Sequence, residues 1–136
     1  MTILLIVSAR QFATESHAQG GKTVWDGVYT EAQGKRGQAV YMEQCAACHG
    51  DTPVGSGMAP SLMGDDFLAD FGNQTIDRLA QRISQTMPAN EPGKLSPKEV
   101  ADVVSYLGSA NSWPAGMAEL PVDPAAQGQI RIIKKP

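Results

Sequence analysis

The feature that most constrains this 136-residue chain is Cys45-Ala46-Ala47-Cys48-His49, which holds the only two cysteines in the sequence. Two thiols three residues apart, with an imidazole beside the second, suit a metal site, a redox dithiol or covalent capture of a cofactor. A structural zinc site needs two further soft ligands, yet no other cysteine exists and the only other histidine is His17. A thioredoxin-like dithiol belongs in a βαβ setting, and no run here alternates with period two over the length of a strand. Two cysteines are also too few for the disulfide framework of a small secreted scaffold.

Apolar spacing and capping residues predict a helical domain instead. Thr30 and Gln33 have capping-box spacing, so a first helix should start there and run to about Cys48, with Gly37, Tyr41, Cys45 and Cys48 along one face. Glycine inside a helix costs about 1 kcal/mol relative to alanine, so Gly37 is expected to admit the backbone of another helix. Residues 50–64 read as loop from their prolines and glycines. Thr75, Asp77 and the stripe Ile76, Leu79, Ile83 mark a second helix that must end before Pro88. Ser96, Pro97 and Glu99 open a third, carrying Val100, Val103, Val104 and Leu107, with Gly108 as the expected stop. Residues 30–111 form the expected domain, 19–29 an N-terminal extension with a short apolar clasp, and 112–136 an extended C-terminal tail.

Composition adds one constraint. With 42% hydrophobic but only 6% aromatic residues, a core made of protein alone would lean on Leu, Ile, Val and Met, and a large apolar group has room to complete it. The motif supplies the means, because Cys-x-x-Cys-His is the attachment pattern of c-type haem. Two thiols on one helical turn can each add to a vinyl group, which places the neighbouring imidazole of His49 beneath the iron. If residues 1–18 are removed, no second histidine remains, and a methionine becomes the natural sixth ligand. The choices are Met42, Met58, Met63, Met87 and Met117. Met42 shares the attachment helix and Met117 lies in the tail. Met58 and Met63 can reach but read as filler. Met87 follows the second helix and precedes Pro88 in a stretch stiffened by two prolines, and it is favoured.

On these residues the chain resembles class I cytochrome c over residues 34–110. The resemblance implies an all-α class I cytochrome c fold, three main helices around one covalently bound haem c, and single-electron transfer. Gly37 and Tyr41 match the family's small and aromatic positions that cross the last helix, where Val103 and Tyr106 correspond. Pro60 corresponds to the proline whose carbonyl binds the ligating histidine, and Leu62 to the leucine packed on the ring. The tryptophan that many members place before the methionine loop is replaced here by Phe67 and Phe71. Arg82 first, and then Arg78, Asn73 and Gln74, are candidate substitutes for its propionate contact. The implied cofactor-binding set is Cys45, Cys48, His49, Pro60, Leu62, Phe71, Leu79, Arg82, Ile83 and Met87, with His49 and Met87 on the metal.

Ile3–Val7 followed by Ser16-His17-Ala18 reads as a signal peptide over residues 1–18, incomplete because no basic residue precedes the apolar run, so periplasmic or other export is expected. Five apolar residues fall far short of the ~20 that span a bilayer. A net charge of −3 gives no footprint for nucleic acid. Asp51, Asp65, Asp66, Asp70 and Asp77 occur with no Lys or Arg between Asp51 and Arg78, either as a solvated surface or as a means of steering a basic partner. The expected partners are redox proteins, with a dehydrogenase as donor and an oxidase or another cytochrome as acceptor. Two alternatives stand beside a free carrier. The segments Val24–Tyr29 and Ser112–Gly116 resemble those of cytochromes docked on quinoprotein alcohol or sugar dehydrogenases. A catalytic or gas-sensing haem protein would need a labile or absent sixth ligand.

Overall fold

A computed structural model describes residues 21–136 of the chain; the expected signal segment and His17 lie outside the described residues. Helix α1 spans Glu31–Gln44, and after a break at Cys45 the single turn α2 covers Ala46–His49. Then come α3 (Gly64–Phe71), α4 (Ile76–Thr86), α5 (Pro97–Ala110) and the short α6 (Pro124–Gln127). Strands β1 (Lys22–Thr23) and β2 (Ile130–Arg131) pair in parallel, Lys22 with Ile130 and Thr23 with Arg131.

The main packing is α1 against α5, and Gly37 sets how closely they approach. A Cβ at Gly37 would lie 1.7 Å from the backbone oxygen of Asp102 and 2.9 Å from the amide nitrogen of Val103. The two backbones are therefore in direct contact, as the glycine implied. One turn further on, the rings of Tyr41 and Tyr106 pack with centroids 5.0 Å apart. Ser96 and Glu99 complete the capping box of α5.

Several local expectations are corrected. The first helix does not run to Cys48. Cys45 leaves helical geometry (φ −124°, ψ −35°), and α2 restarts from its carbonyl, which accepts from His49 N at 3.0 Å. Thr30 caps α1 by accepting from Gln33 N, but the Gln33 side chain does not close the box. It is buried and pairs with both backbone groups of Leu120, at 3.1 and 2.7 Å. Gly108 does not stop α5, which continues to Ala110; it makes room for Trp113, whose ring would lie 2.4 Å from an added Cβ. Between the expected loop of residues 50–64 and the second helix lies α3, an element not assigned from the sequence.

The segment 112–136 is not simply extended. It inserts Trp113, Leu120, Ile130 and Ile132 into the core and carries α6 and β2. The segment before α1 joins it: Val24 and Tyr29 are buried, the Tyr29 hydroxyl donates to Trp113 O at 2.7 Å, and Trp25 Nε1 donates to Ile133 O at 2.9 Å. Pairing satisfies backbone groups that burial would otherwise strand.

One buried carboxylate ties these layers together. Asp102 on α5 has a 5% exposed side chain and accepts from Arg36 Nε and Nη2 at 3.2 Å each and from Lys98 Nζ at 2.8 Å. Arg36 also reaches Glu119 at 2.6 Å. Burial pushes the Asp102 carboxyl up, but the hydrogen bonds from Arg36 and Lys98 outweigh it and hold the group below the usual carboxylate range. Asp102→Ala is therefore expected to cost about 2 kcal/mol in urea unfolding at pH 7. Because the native pKa is depressed, this contribution is complete above the unfolded value of about 3.9 and fades as pH falls through the native one. An unchanged midpoint at pH 7 would exclude such a role.

Candidate functional site

The site is built on the break between α1 and α2. Restarting the helix at Cys45 leaves that residue half-buried and Cys48 exposed, both as free thiols, with His49 only 7% exposed between them and the following loop. Burial, and then the neighbouring Cys48, pushes the Cys45 thiol up to about 11, so it stays a neutral thiol at physiological pH. Burial likewise lifts Tyr41 to about 12, and its hydroxyl donates to Gly50 O at 2.8 Å, locking the end of the motif onto α1.

The loop from Gly50 to Leu62 folds back under the motif. Gly55 N donates to His49 O at 2.9 Å, Ser56 Oγ to Cys48 O at 2.5 Å, and Leu62 N to Pro53 O at 2.8 Å. Gly55 has φ +83° and would bring a Cβ within 2.5 Å of Ser61 N, so the fold-back requires glycine. It delivers the Pro60 carbonyl to His49 Nδ1 at 2.9 Å. A carbonyl can only accept, so Nδ1 carries a proton, and in the neutral ring this leaves the lone pair on Nε2, the tautomer that a metal requires.

The other expected residues fall into three groups. Leu62 is half-buried, and its carbonyl accepts from Asn111 Nδ2 at 3.0 Å while Asn111 Oδ1 accepts from Gly64 N at 2.9 Å, so the end of α5 anchors this loop. Phe71 is half-buried beside Phe67, with centroids 5.2 Å apart, and Met87 is half-buried where α4 ends. Leu79 and Ile83 lie deeper, within the hydrophobic core. Arg82 is exposed and borders a surface groove of about 350 Å³ with Arg78, Gln74 and Phe71. Among the described residues neither arginine pairs with a carboxylate. Of the other methionines, Met42 is 45%, Met58 79% and Met117 100% exposed, and Met63 is half-buried at the start of α3.

These residues suit haem c. The thiols are free and the His49 ring has one nitrogen with no hydrogen-bond partner among the described residues. Cys45, Leu62, Leu68, Phe71 and Met87 all pack on the core while staying partly exposed, as apolar side chains that a large flat group would cover. Sequence reasoning passed over α3 and Asn111. The signal for α3 was present, with Asp65 and Asp66 in its first turn and Phe67 and Phe71 four apart. The side-chain bond of Asn111 to Leu107 O at 2.9 Å is an ordinary helix-end contact, and nothing local marks the two that hold the loop, because those partners are 47 and 49 residues away.

Comparison with known proteins agrees. The family described as cytochrome C oxidase, cbb3-type, subunit III, matches residues 32–107. Thiosulfate dehydrogenase of Stutzerimonas stutzeri (strain A1501) is 36% identical over 80 residues, covering 54% of this chain and 26% of that protein. The cbb3-type cytochrome c oxidase subunit FixP of Bradyrhizobium sp. (strain ORS 278) is 28% identical over 89 residues, covering 58% of this chain and 31% of that protein. The chain thus spans less than a third of either curated relative. The sulfane dehydrogenase SoxCD from Paracoccus pantotrophus aligns over 81% of this chain and 60% of its own, at 21% identity and a TM-score of 0.48. The family match runs from the first turn of α1 through the Cys-x-x-Cys-His motif to Leu107 on α5, more than half of the sequence, and on it the chain belongs to the cytochrome c family of cbb3-type oxidase subunit III, electron-transfer haem proteins with the all-α class I fold.

Proposed function

We propose that the chain is an exported, periplasmic single-electron carrier that holds one haem c through Cys45 and Cys48, with His49 and Met87 as the axial ligands. The observation that carries this reading is the hydrogen bond from His49 Nδ1 to Pro60 O at 2.9 Å on a side chain only 7% exposed. It fixes the ring and its tautomer before any metal arrives, and so lowers the cost of reorganisation between oxidation states. When bound, haem c supplies a one-electron iron couple whose potential methionine ligation raises. The chain's own residues orient the imidazole, present the thioether and keep water from the ring face through Leu62, Phe71 and the core behind them. If His49 and Met87 both held the iron, they would leave it no position for a substrate, which favours transfer over catalysis or gas sensing.

Met87 is supported over Met58 by exposure, since a 79% exposed thioether would have to leave solvent to become a ligand. Met87→Ala is expected to abolish the iron–sulfur charge-transfer band of the oxidised visible spectrum, whereas Met58→Ala and Met63→Ala retain it. Persistence of the band in Met87→Ala would remove Met87 as ligand. Export rests on the apolar run and small-residue site in residues 1–18, and the intact mass of the same holoprotein, expected to begin at Gln19, tests it.

The relatives, a dehydrogenase and an oxidase subunit, favour a dehydrogenase as donor and an oxidase or another cytochrome as acceptor. They also keep open a cytochrome docked on a quinoprotein dehydrogenase. The segments that suggested docking are partly used internally: Val24, Tyr29 and Trp113 are buried in this chain's own core. Among the described residues no helix is long and apolar enough to cross a membrane.

A further inference from the structure

Residues 130–133 lie between two parts of the chain and bond to both. On one edge β2 pairs with β1, and Val24 N donates to Arg131 O at 3.0 Å. On the other, Asn73 N donates to Ile132 O at 2.7 Å and Ile132 N to Gln74 O at 2.8 Å, with Thr75 opposite Arg131 in an antiparallel bridge. The Ile132 side chain is fully buried. This short strap grips the turn between α3 and α4, where Asn73 holds φ +63°, a left-handed conformation that asparagine tolerates better than most residues.

The grip falls where α4 lacks a fastening of its own. Thr75 stands at the N-cap of α4, but its hydroxyl donates to the Asp77 carboxylate instead of accepting from an amide of the first turn. A side-chain cap would have satisfied one of the amides that a helix start leaves unpaired. From another side α6 packs on α4, and a Cβ on Gly128 would lie 3.7 Å from the Asp77 carboxyl carbon. At the far end, Met87 N donates to Ile83 O at 2.9 Å, so Met87 closes the last turn of the same helix. Ile76, Leu79, Ala80 and Ile83 are buried between the two ends, and a packed helix carries a displacement at one end to the other as a rigid element.

We propose that Ile132 is a positioning residue for Met87: by clasping residues 73–75 it fixes the start of α4, and through that helix it holds the thioether on the iron. This rests on the reading of Met87 as axial ligand. The segment after Asn111 then serves electron transfer as well as the core, because a thioether that leaves the iron lowers the potential and opens a coordination position.

The test titrates oxidised holoprotein with imidazole, which reaches the iron only after the thioether leaves, so its apparent affinity scales with the released fraction. Ile132→Ala should bind imidazole about tenfold more tightly or better, and its midpoint potential should fall. Leu120→Ala removes a similar buried side chain from the same segment, at a residue bonded to Gln33 on α1, and should stay within about twofold of the parent. Equal tightening in both variants would reduce the effect to general loss of stability and overturn the proposal, as would parent-like binding in Ile132→Ala. A second measurement needs no variant. Coupling is reciprocal, so saturating the parent protein with imidazole should speed amide hydrogen exchange at Asn73 and Ile132 by about threefold or more. The Trp113 amide, bonded to Gly108 O, should not respond. Unaltered exchange at Asn73 and Ile132 would overturn the proposal even if Ile132→Ala does not fold. Met87→Ala separates the two readings. If it binds imidazole no more tightly than the parent, the ligand reading fails and takes the proposal with it; if it binds tightly while Ile132→Ala does not, the positioning role alone fails.

Discussion

Gly37→Ala is expected to destabilise the protein by about 3 kcal/mol or more, enough to remove much of the 5–15 kcal/mol typical of a domain. Two effects oppose each other at this position. Alanine gains about 1 kcal/mol of helix propensity over glycine, but its methyl would have to occupy space 1.7 Å from the carbonyl oxygen of Asp102. A flexible side chain could move aside, whereas the backbone of α5 cannot without carrying Val103 and the Asp102 ion pairs with it. The clash therefore wins. Gly57→Ala is the matched control, because a Cβ there meets nothing within 4 Å, and it should lie within about 0.5 kcal/mol of the parent. Thermal unfolding of both variants checks the comparison. A Gly37→Ala protein as stable as Gly57→Ala would mean that α1 and α5 do not cross in backbone contact.

The second large effect concerns the thiols. Cys45→Ser/Cys48→Ser is expected to abolish covalently retained haem completely, so that acidified acetone extracts the pigment and none stays with the chain on a denaturing gel. His49 is untouched in this variant, and its ring is still held by Pro60, so any residual pigment should be bound non-covalently. Stability should fall as well. Leu62, Leu68, Phe71 and Met87 are only partly buried against the core, and any of them that the haem covers would lose that cover, where fully burying such a side chain gains about 1.5–3 kcal/mol. The expected signature is a weakened near-ultraviolet dichroism with helical content retained, the mark of loosened packing. Pigment that resists extraction from the double variant would show that attachment does not run through these thiols.

Much of this was legible from short-range chemistry. The capping box at Ser96 and Glu99, the stripe on α5 and the end of α4 before Pro88 depend on residues within one or two turns of each other, and they appear as expected. Gly37 was legible for a different reason: a costly residue inside a helix implies a contact that needs it. The elements misread were those whose partners are distant. Gln33 looks like the second half of a capping box, but its amide satisfies both backbone groups of Leu120, 87 residues away. Gly108 looks like a helix stop, and only the position of Trp113 shows that it is a packing notch. The prolines after Asn111 suggest an extended tail, yet Ile130 and Ile132 complete the core beside Val24 from the other end of the chain.

The motif Cys45-Ala46-Ala47-Cys48-His49 pointed to the class of cofactor chemistry, because the sequence has no further cysteine and only one other histidine to complete a structural zinc site or a disulfide framework. The resemblance already implied a Pro60 carbonyl bound to His49; tertiary structure alone decided how the chain closes that bond, by the loop of residues 50–62 folding back until the Pro60 carbonyl meets Nδ1. That return is closed by hydrogen bonds from Gly55, Ser56, Leu62 and Asn111, and such contacts depend on where the chain goes in space, which local spacing does not encode.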